Sequence, residues 1–302
     1  MSLNSPLPLQ RYVRPLFVTA LFALVFHRFW GNAVFFRDSF RLYAPIKYLV
    51  AEGWETGRVI GWNPFQYLGM PFAADILTGY FYPLNLIYLA LPFEYAHNWF
   101  ILIHYPLAAL FMDLFLRGQG IDSRASLLAG LGFALCGYMT CQHVNMVYLI
   151  GPAWAPLGLY FFSRSVRESS VFMALAAGAA LAIQVFAGEP QSAALTALLI
   201  ALMAAGSLWG GTPDQRPGLR LFPFLALGLT ALFSALLSAV QLLPTRELLA
   251  LSIRRSGLDL TESSMFAYHP GAMIDLIWPT PFGVIWPELR FWGLFMLDSP
   301  VN

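Results

Sequence analysis

Charge is what this sequence has least of. Asp, Glu, Lys and Arg make up only 11% of its 302 residues, where soluble domains carry roughly 25%. So few charges cannot cover a water-facing surface, which excludes a soluble enzyme, a disordered tail and a nucleic-acid binder. Two cysteines are too few for a disulfide-framed secreted module, and a net charge of +1 points to no partner. Also missing are a Walker A loop, a zinc-protease helix motif and a dinucleotide fingerprint. There is no solenoid repeat and no low-complexity tract. What is present is apolar surface: 58% of residues are hydrophobic and 16% aromatic, the latter suited to two membrane interfaces.

A helix needs about 20 apolar residues to cross the hydrocarbon core. Stretches without Asp, Glu, Lys or Arg run over 76–93, 95–112, 125–163, 169–188, 190–213 and 221–245. The stretch 125–163 is long enough for two spans, divided by Cys141, Gln142, His143 and Asn145. Residues 15–36 form a further span interrupted only by His27 and Arg28, too long for a cleaved signal peptide. The expectation is an all-α polytopic integral membrane protein. Its seven spans lie near 15–36, 97–116, 125–142, 147–163, 170–187, 191–208 and 221–243. Residues 1–14 are then a cytoplasmic N-terminus, and the short inside segments hold eight of the 17 basic residues (Arg11, Arg14, Arg117, Arg124, Arg164, Arg167, Arg216 and Arg220). The short outside turns 141–146 and 188–191 hold none. Letting 76–93 cross would destroy that bias, so the positive-inside rule makes it a re-entrant or interfacial segment.

Two outer regions collect the remaining polarity: a first loop, 37–96, and an extracytoplasmic segment, 244–302, expected to lead into a further region. Residues 42–52 read as an interfacial amphipathic helix with Tyr43, Ile46, Leu49 and Val50 on one face. Asp38, past the outer end of the first span, suits a general base acting on an acceptor hydroxyl; its ordinary role would be a charged helix flank. Arg37 and Arg41 flank it and suit a lipid-borne phosphate. Arg28, inside the first span, is either a phosphate ligand or a side chain snorkelling to the outer interface. Glu189 and His143 sit in outer turns on the same side as Asp38, where turns are polar simply because they meet water. Arg254 and Arg255 suit a diphosphate or anionic headgroups, though a solvated helix face explains them as well.

Asp113 and Arg117, spaced i,i+4, read as a structural ion pair, and the Ala- and Gly-rich segment 174–182 as a close-packing face. Cys136 and Cys141 read as packing thiols, because no His, Asp or Glu set accompanies them at ligand spacing. No metal site is expected.

Several pieces stand in a telling order: Asp38, Tyr43 and Pro45; Gly61-Trp62-Asn63-Pro64 before Gly69-Met70-Pro71; Tyr82-Pro83-Leu84-Asn85-Leu86. Gly137-Tyr138 and His143 follow, then Trp154-Ala155-Pro156, Gly188-Glu189-Pro190-Gln191, His269-Pro270 and Pro281-Phe282-Gly283. In this order the chain resembles the N-terminal membrane portion of the bacterial YfhO-like family, related to the GT-C fold glycosyltransferases. The resemblance implies a GT-C-like module of about seven transmembrane helices with a re-entrant or juxtamembrane first outer loop, in the bacterial inner membrane. It implies a catalytic carboxylate matching Asp38 and transfer of a sugar from a polyprenyl-phosphate carrier to an extracytoplasmic acceptor. Beyond that lipid-linked donor it implies no cofactor, and it leaves a divalent metal open. The family turn more often has His before Pro, where this chain has Glu189. Members are usually longer, so a non-catalytic subunit or scaffold, binding lipid or a partner protein in a larger membrane complex, is the competing expectation.

Overall fold

The computed structural model describes residues 10–30, 38–207, 217–257, 259, 270, 273–274 and 277–278. Helices dominate. In chain order they are α1 (Gln10–Val25), α2 (Ala44–Thr56), α3 (Ile87–Ala90), α4 (Phe93–Leu102), α5 (His104–Gly118), α6 (Ser123–Ala134), α7 (Gly137–Cys141), α8 (Met146–Glu168), α9 (Val171–Phe186), α10 (Pro190–Gly206) and α11 (Pro217–Leu251). Four helical stretches are long and apolar enough to cross a membrane: Phe93–Gly118, Ser123–Cys141, Met146–Glu168 and Leu221–Leu251. Three shorter apolar helices, Tyr12–Val25, Val171–Phe186 and Pro190–Gly206, accompany them.

Two compact units divide the chain, residues 1–248 and 249–302. In the first, α8 packs along α5 and α9, α6 lies on α5, α10 on α8 and α9, and α1 on α5. Small residues allow this closeness. Gly178 on α9 is buried, and a Cβ there would lie 2.7 Å from the Thr230 carbonyl oxygen of α11. The Thr230 hydroxyl in turn donates to Ala174 O at 2.9 Å. Gly130 on α6 meets the Ala109 carbonyl of α5 in the same way. The segment 174–182 is therefore a packing face, with Ala174, Ala177, Gly178, Ala180, Leu181 and Ala182 buried.

One end of this unit is pinned by charge. Asp113, 1% exposed, accepts from Arg117 at 3.0 Å and from Arg14 at 2.9 Å. The Arg14 guanidinium also bonds the side chain and carbonyl of Ser123, and Arg167 bonds Gly118 O. The expected Asp113–Arg117 pair is thus a three-residue junction joining α1, α5 and the start of α6.

The segment expected as the first outer loop folds into short elements. A two-stranded antiparallel ladder pairs β1 (Trp62–Asn63) with β2 (Met70–Pro71). Short 3-10 turns cover Ile76–Thr78 and Pro83–Leu86, followed by α3. The segment 76–93 thus holds no helix long enough to span. In α2, Tyr43 (immediately before it), Ile46, Leu49 and Val50 are buried as the periodicity predicts. Within the first span, expected over 15–36, α1 runs to Val25; a 3-10 turn, His27–Phe29, follows, with His27 Nδ1 donating to Leu24 O at 2.7 Å, and 31–36 lie outside the described residues. Cys136 and Cys141 are both exposed free thiols, so neither packs the interior as expected. Among the described residues no group of three His, Cys, Asp or Glu gathers at metal-binding distance.

Candidate functional site at the outer end of the bundle

The site is built from Asp38. This carboxylate is exposed and opens a π-helical turn, Ser39–Tyr43, that runs straight into α2. Such π turns concentrate at functional sites. Burial, then the charges of Tyr148 and Asp38, push the Tyr43 phenol upward, which puts all three side chains in one electrostatic neighbourhood. The Tyr138 hydroxyl donates to Tyr148 O at 3.2 Å. Arg41, in the same turn as Asp38, is exposed and makes no ion pair with it.

His143 lies beside a cavity of about 180 Å³, lined with it by Phe26, Phe29, Leu102, Tyr105 and Thr140. Its Nδ1 stands 2.9 Å from Thr140 O. A carbonyl only accepts, so Nδ1 carries a proton there. Arg28 adjoins Phe29 in the exposed turn beyond α1, past the helix rather than within it. Of the sequence candidates His143 lines this aromatic cavity, and Arg28 is the chain neighbour of a lining residue, Phe29.

Glu189 has a different employment. It caps α10, accepting from Gln191 N at 2.6 Å, Ser192 N at 2.8 Å and the Ser192 hydroxyl at 2.6 Å, and is 5% exposed. Gly188, at φ +101°, carries the turn against the first outer loop, where a Cβ would meet the Ile76 and Leu77 carbonyls at 3.1 Å. The turn is a clamp between loop and bundle.

Arg37 lies outside the described residues. Arg254 and Arg255 stand in a 3-10 turn, Ile253–Ser256, of the second unit. Arg255 is exposed, and the Arg254 side chain lies outside the described residues.

A residue the sequence reading passed over sits beneath the site. Lys47 is the only lysine of the chain and is 1% exposed. It donates to Thr78 O at 3.0 Å and Asn85 Oδ1 at 3.2 Å, and stands 4.7 Å over the Phe100 ring. Burial lowers its ammonium from 10.5 to about 7. Asn85 passes the link on to Gly79 O and Tyr80 O. A second chain runs from Ser39 to His97 at 3.5 Å and from His97 to Tyr88 at 3.2 Å. In a third, His104 Nδ1 donates to Phe100 O, Nε2 accepts from the Tyr82 hydroxyl at 2.6 Å, and Tyr82 accepts from Trp154 Nε1 at 2.8 Å. These networks bind the first outer loop to α4, α5 and α8. The signal was legible: positions 43, 46, 47 and 50 share one helical face, so Lys47 falls inside the apolar stripe.

Comparison with protein-family models, curated proteins and solved structures finds no match to the chain.

Proposed function

We propose that the chain is the membrane module of a GT-C-type glycosyltransferase resembling the YfhO-like family, with seven spans and a cytoplasmic N-terminus in a bacterial inner membrane. It transfers a sugar from a polyprenyl-phosphate carrier to an extracytoplasmic acceptor. One observation carries this reading. Asp38 is an exposed carboxylate that opens the π-helical turn into α2, in electrostatic range of Tyr43 and one turn from Arg41. Glu189, the other carboxylate considered, is occupied as a cap.

In the reaction the acceptor oxygen attacks the anomeric carbon while its proton passes to the Asp38 carboxylate. The bond from that carbon to the carrier phosphate breaks, its electron pair leaving with the phosphate. A cation near the membrane surface stabilises the departing charge; Arg41 and Arg28 are the described candidates. Transfer from a radiolabelled polyprenyl-phosphate sugar in membrane vesicles is expected to fall about 10²-fold or more in Asp38→Asn, the usual contribution of a general base. Undiminished transfer sinks the assignment.

A second reading is a non-catalytic scaffold, favoured by how much of the outer-loop polarity serves the framework: Lys47, Asn85, His97, His104 and Glu189 are all buried and bonded. It predicts that Asp38→Asn changes nothing and that the chain co-purifies with a larger assembly.

A further inference from the structure

The outer face carries a second concavity, built by α2 and the entrance of α4. A pocket of about 150 Å³ is lined by Tyr48, Ala51, Glu52, Glu55, Tyr88 and Phe93. Tyr88 apart, these residues belong to none of the networks above. Three aromatic rings form its wall: Tyr48 meets Phe93 edge-on at 5.3 Å, and Tyr88 stacks on Phe93 at 5.6 Å. Two carboxylates form its rim. Glu52 and Glu55, spaced i,i+3, share a helix face, are exposed, and have no ion-pair partner among the described residues.

Their position is electrostatically unfavourable for the isolated protein. Both stand in the last turn of α2, which has no basic residue. The carbonyl end of a helix already carries partial negative charge, and carboxylates there add to it. A positive ligand relieves three sources of negative potential together: the two carboxylates, the helix end and the ring faces. Metal ions are poorly matched, because the hard cations want six or more oxygen ligands and the rings supply none. An organic ammonium group suits both the rings and the carboxylates.

We propose that this pocket binds a small organic ammonium ion, the group shared by ethanolamine- and choline-headed lipids and by free amines. The ammonium lies against the rings of Tyr48 and Phe93, with Glu52 and Glu55 neutralising it. The site is independent of the transferase reading.

The test uses the full chain, purified in detergent and also reconstituted in nanodiscs. Choline and ethanolamine are titrated by saturation-transfer NMR, and bound lipid is read by native mass spectrometry from discs containing phosphatidylethanolamine or only phosphatidylglycerol. Saturable binding of an amine, or selective retention of phosphatidylethanolamine, is expected. Glu52→Gln/Glu55→Gln and Tyr48→Ala should each weaken it by about tenfold, and added salt should weaken it further. All three positions are exposed, and an unchanged melting temperature shows that the variants fold. Lipid retention alone identifies the headgroup as the source; binding of the free amines alone identifies a soluble ligand. No binding in either arm, equal binding by the double variant, or preference for a neutral sugar over the amines overturns the proposal.

Discussion

Lys47 shows how much one side chain decides here. A buried ammonium is costly unless its donors are met, and Thr78 O, Asn85 Oδ1 and the Phe100 face meet them. Lysine suits the place because its head is a compact point charge on a flexible stem, and Gly79 leaves room: a Cβ there would stand 3.1 Å from Nζ. Because burial lowers the folded-state value from 10.5 to about 7, the unfolded chain holds a proton that the folded chain lacks between those limits. Stability therefore rises with pH across that window, by at most ~1.4 kcal/mol per unit, and the contribution is level below about 7. Lys47→Met keeps the volume but leaves two acceptors short of a donor. It should cost about 1–3 kcal/mol at the alkaline end and remove the slope, as denaturant melts across pH would record; an unaltered slope refutes the assignment. Glu189→Ala removes a helix cap and should cost about 1–2 kcal/mol. Ser192→Ala, which removes only one of the three bonds, should cost less, and thermal melts would rank the two. The sequence made both residues visible but not their roles. Glu189 stood out as a charge in an outer turn, and nothing in the string said that its own helix would consume it.

Among the elements, what was legible follows from periodicity and what was not follows from tertiary contact. Apolar runs mark the helices over 93–118, 146–168 and 221–251 because a membrane-length apolar segment has few other ways to satisfy its backbone. The breaks inside them were not legible. The expected span at 97–116 is two helices meeting at Ile103, and the one at 125–142 is interrupted between Ala134 and Gly137. α1 ends at Val25, where His27 folds back on Leu24, a local bond that hydropathy does not register. Close helix approach was legible in the Ala and Gly run of α9, but its partner α11 was not, since that pairing depends on Thr230 reaching Ala174 across 56 residues. Gly178→Leu forces the Thr230 carbonyl away, because a Cβ would already lie 2.7 Å from it. The loss should be about 2–4 kcal/mol, within the range of severe overpacking, and a cross-link engineered between α9 and α11 should form more slowly. Asp113→Ala acts at the opposite end. It leaves the partly exposed Arg14 and Arg117 without the buried carboxylate they share and should cost about 1–3 kcal/mol, with proteolysis near α1 accelerated.

For the whole molecule the question is which end faces which compartment. Three arginines scattered in sequence come together in space: Arg14 reaches Asp113 and Ser123, Arg117 joins the same carboxylate, and Arg167 reaches Gly118. Asp38, the first outer loop, His143 and Glu189 occupy the other end. Between the two, leucines such as Leu198 and Leu202 on α10 and Leu232 and Leu236 on α11 are exposed, as expected of surfaces that meet lipid rather than water. Under the proposed function, the positive-inside rule predicts that the arginine end faces the cytoplasm. A chain with Cys136 and Cys141, both exposed, replaced by serine tests this directly. Thr56→Cys, at the end of α2, should react with a membrane-impermeant maleimide in intact cells. Gln119→Cys, in the turn beside Arg117, should react only after permeabilisation; both sites are exposed. The reverse pattern would turn Asp38 towards the cytoplasm, where an extracytoplasmic transfer cannot occur, and the transferase reading would fall with the orientation. The ammonium pocket would survive such a reversal, because its rings and carboxylates need a membrane surface but not a particular side of it.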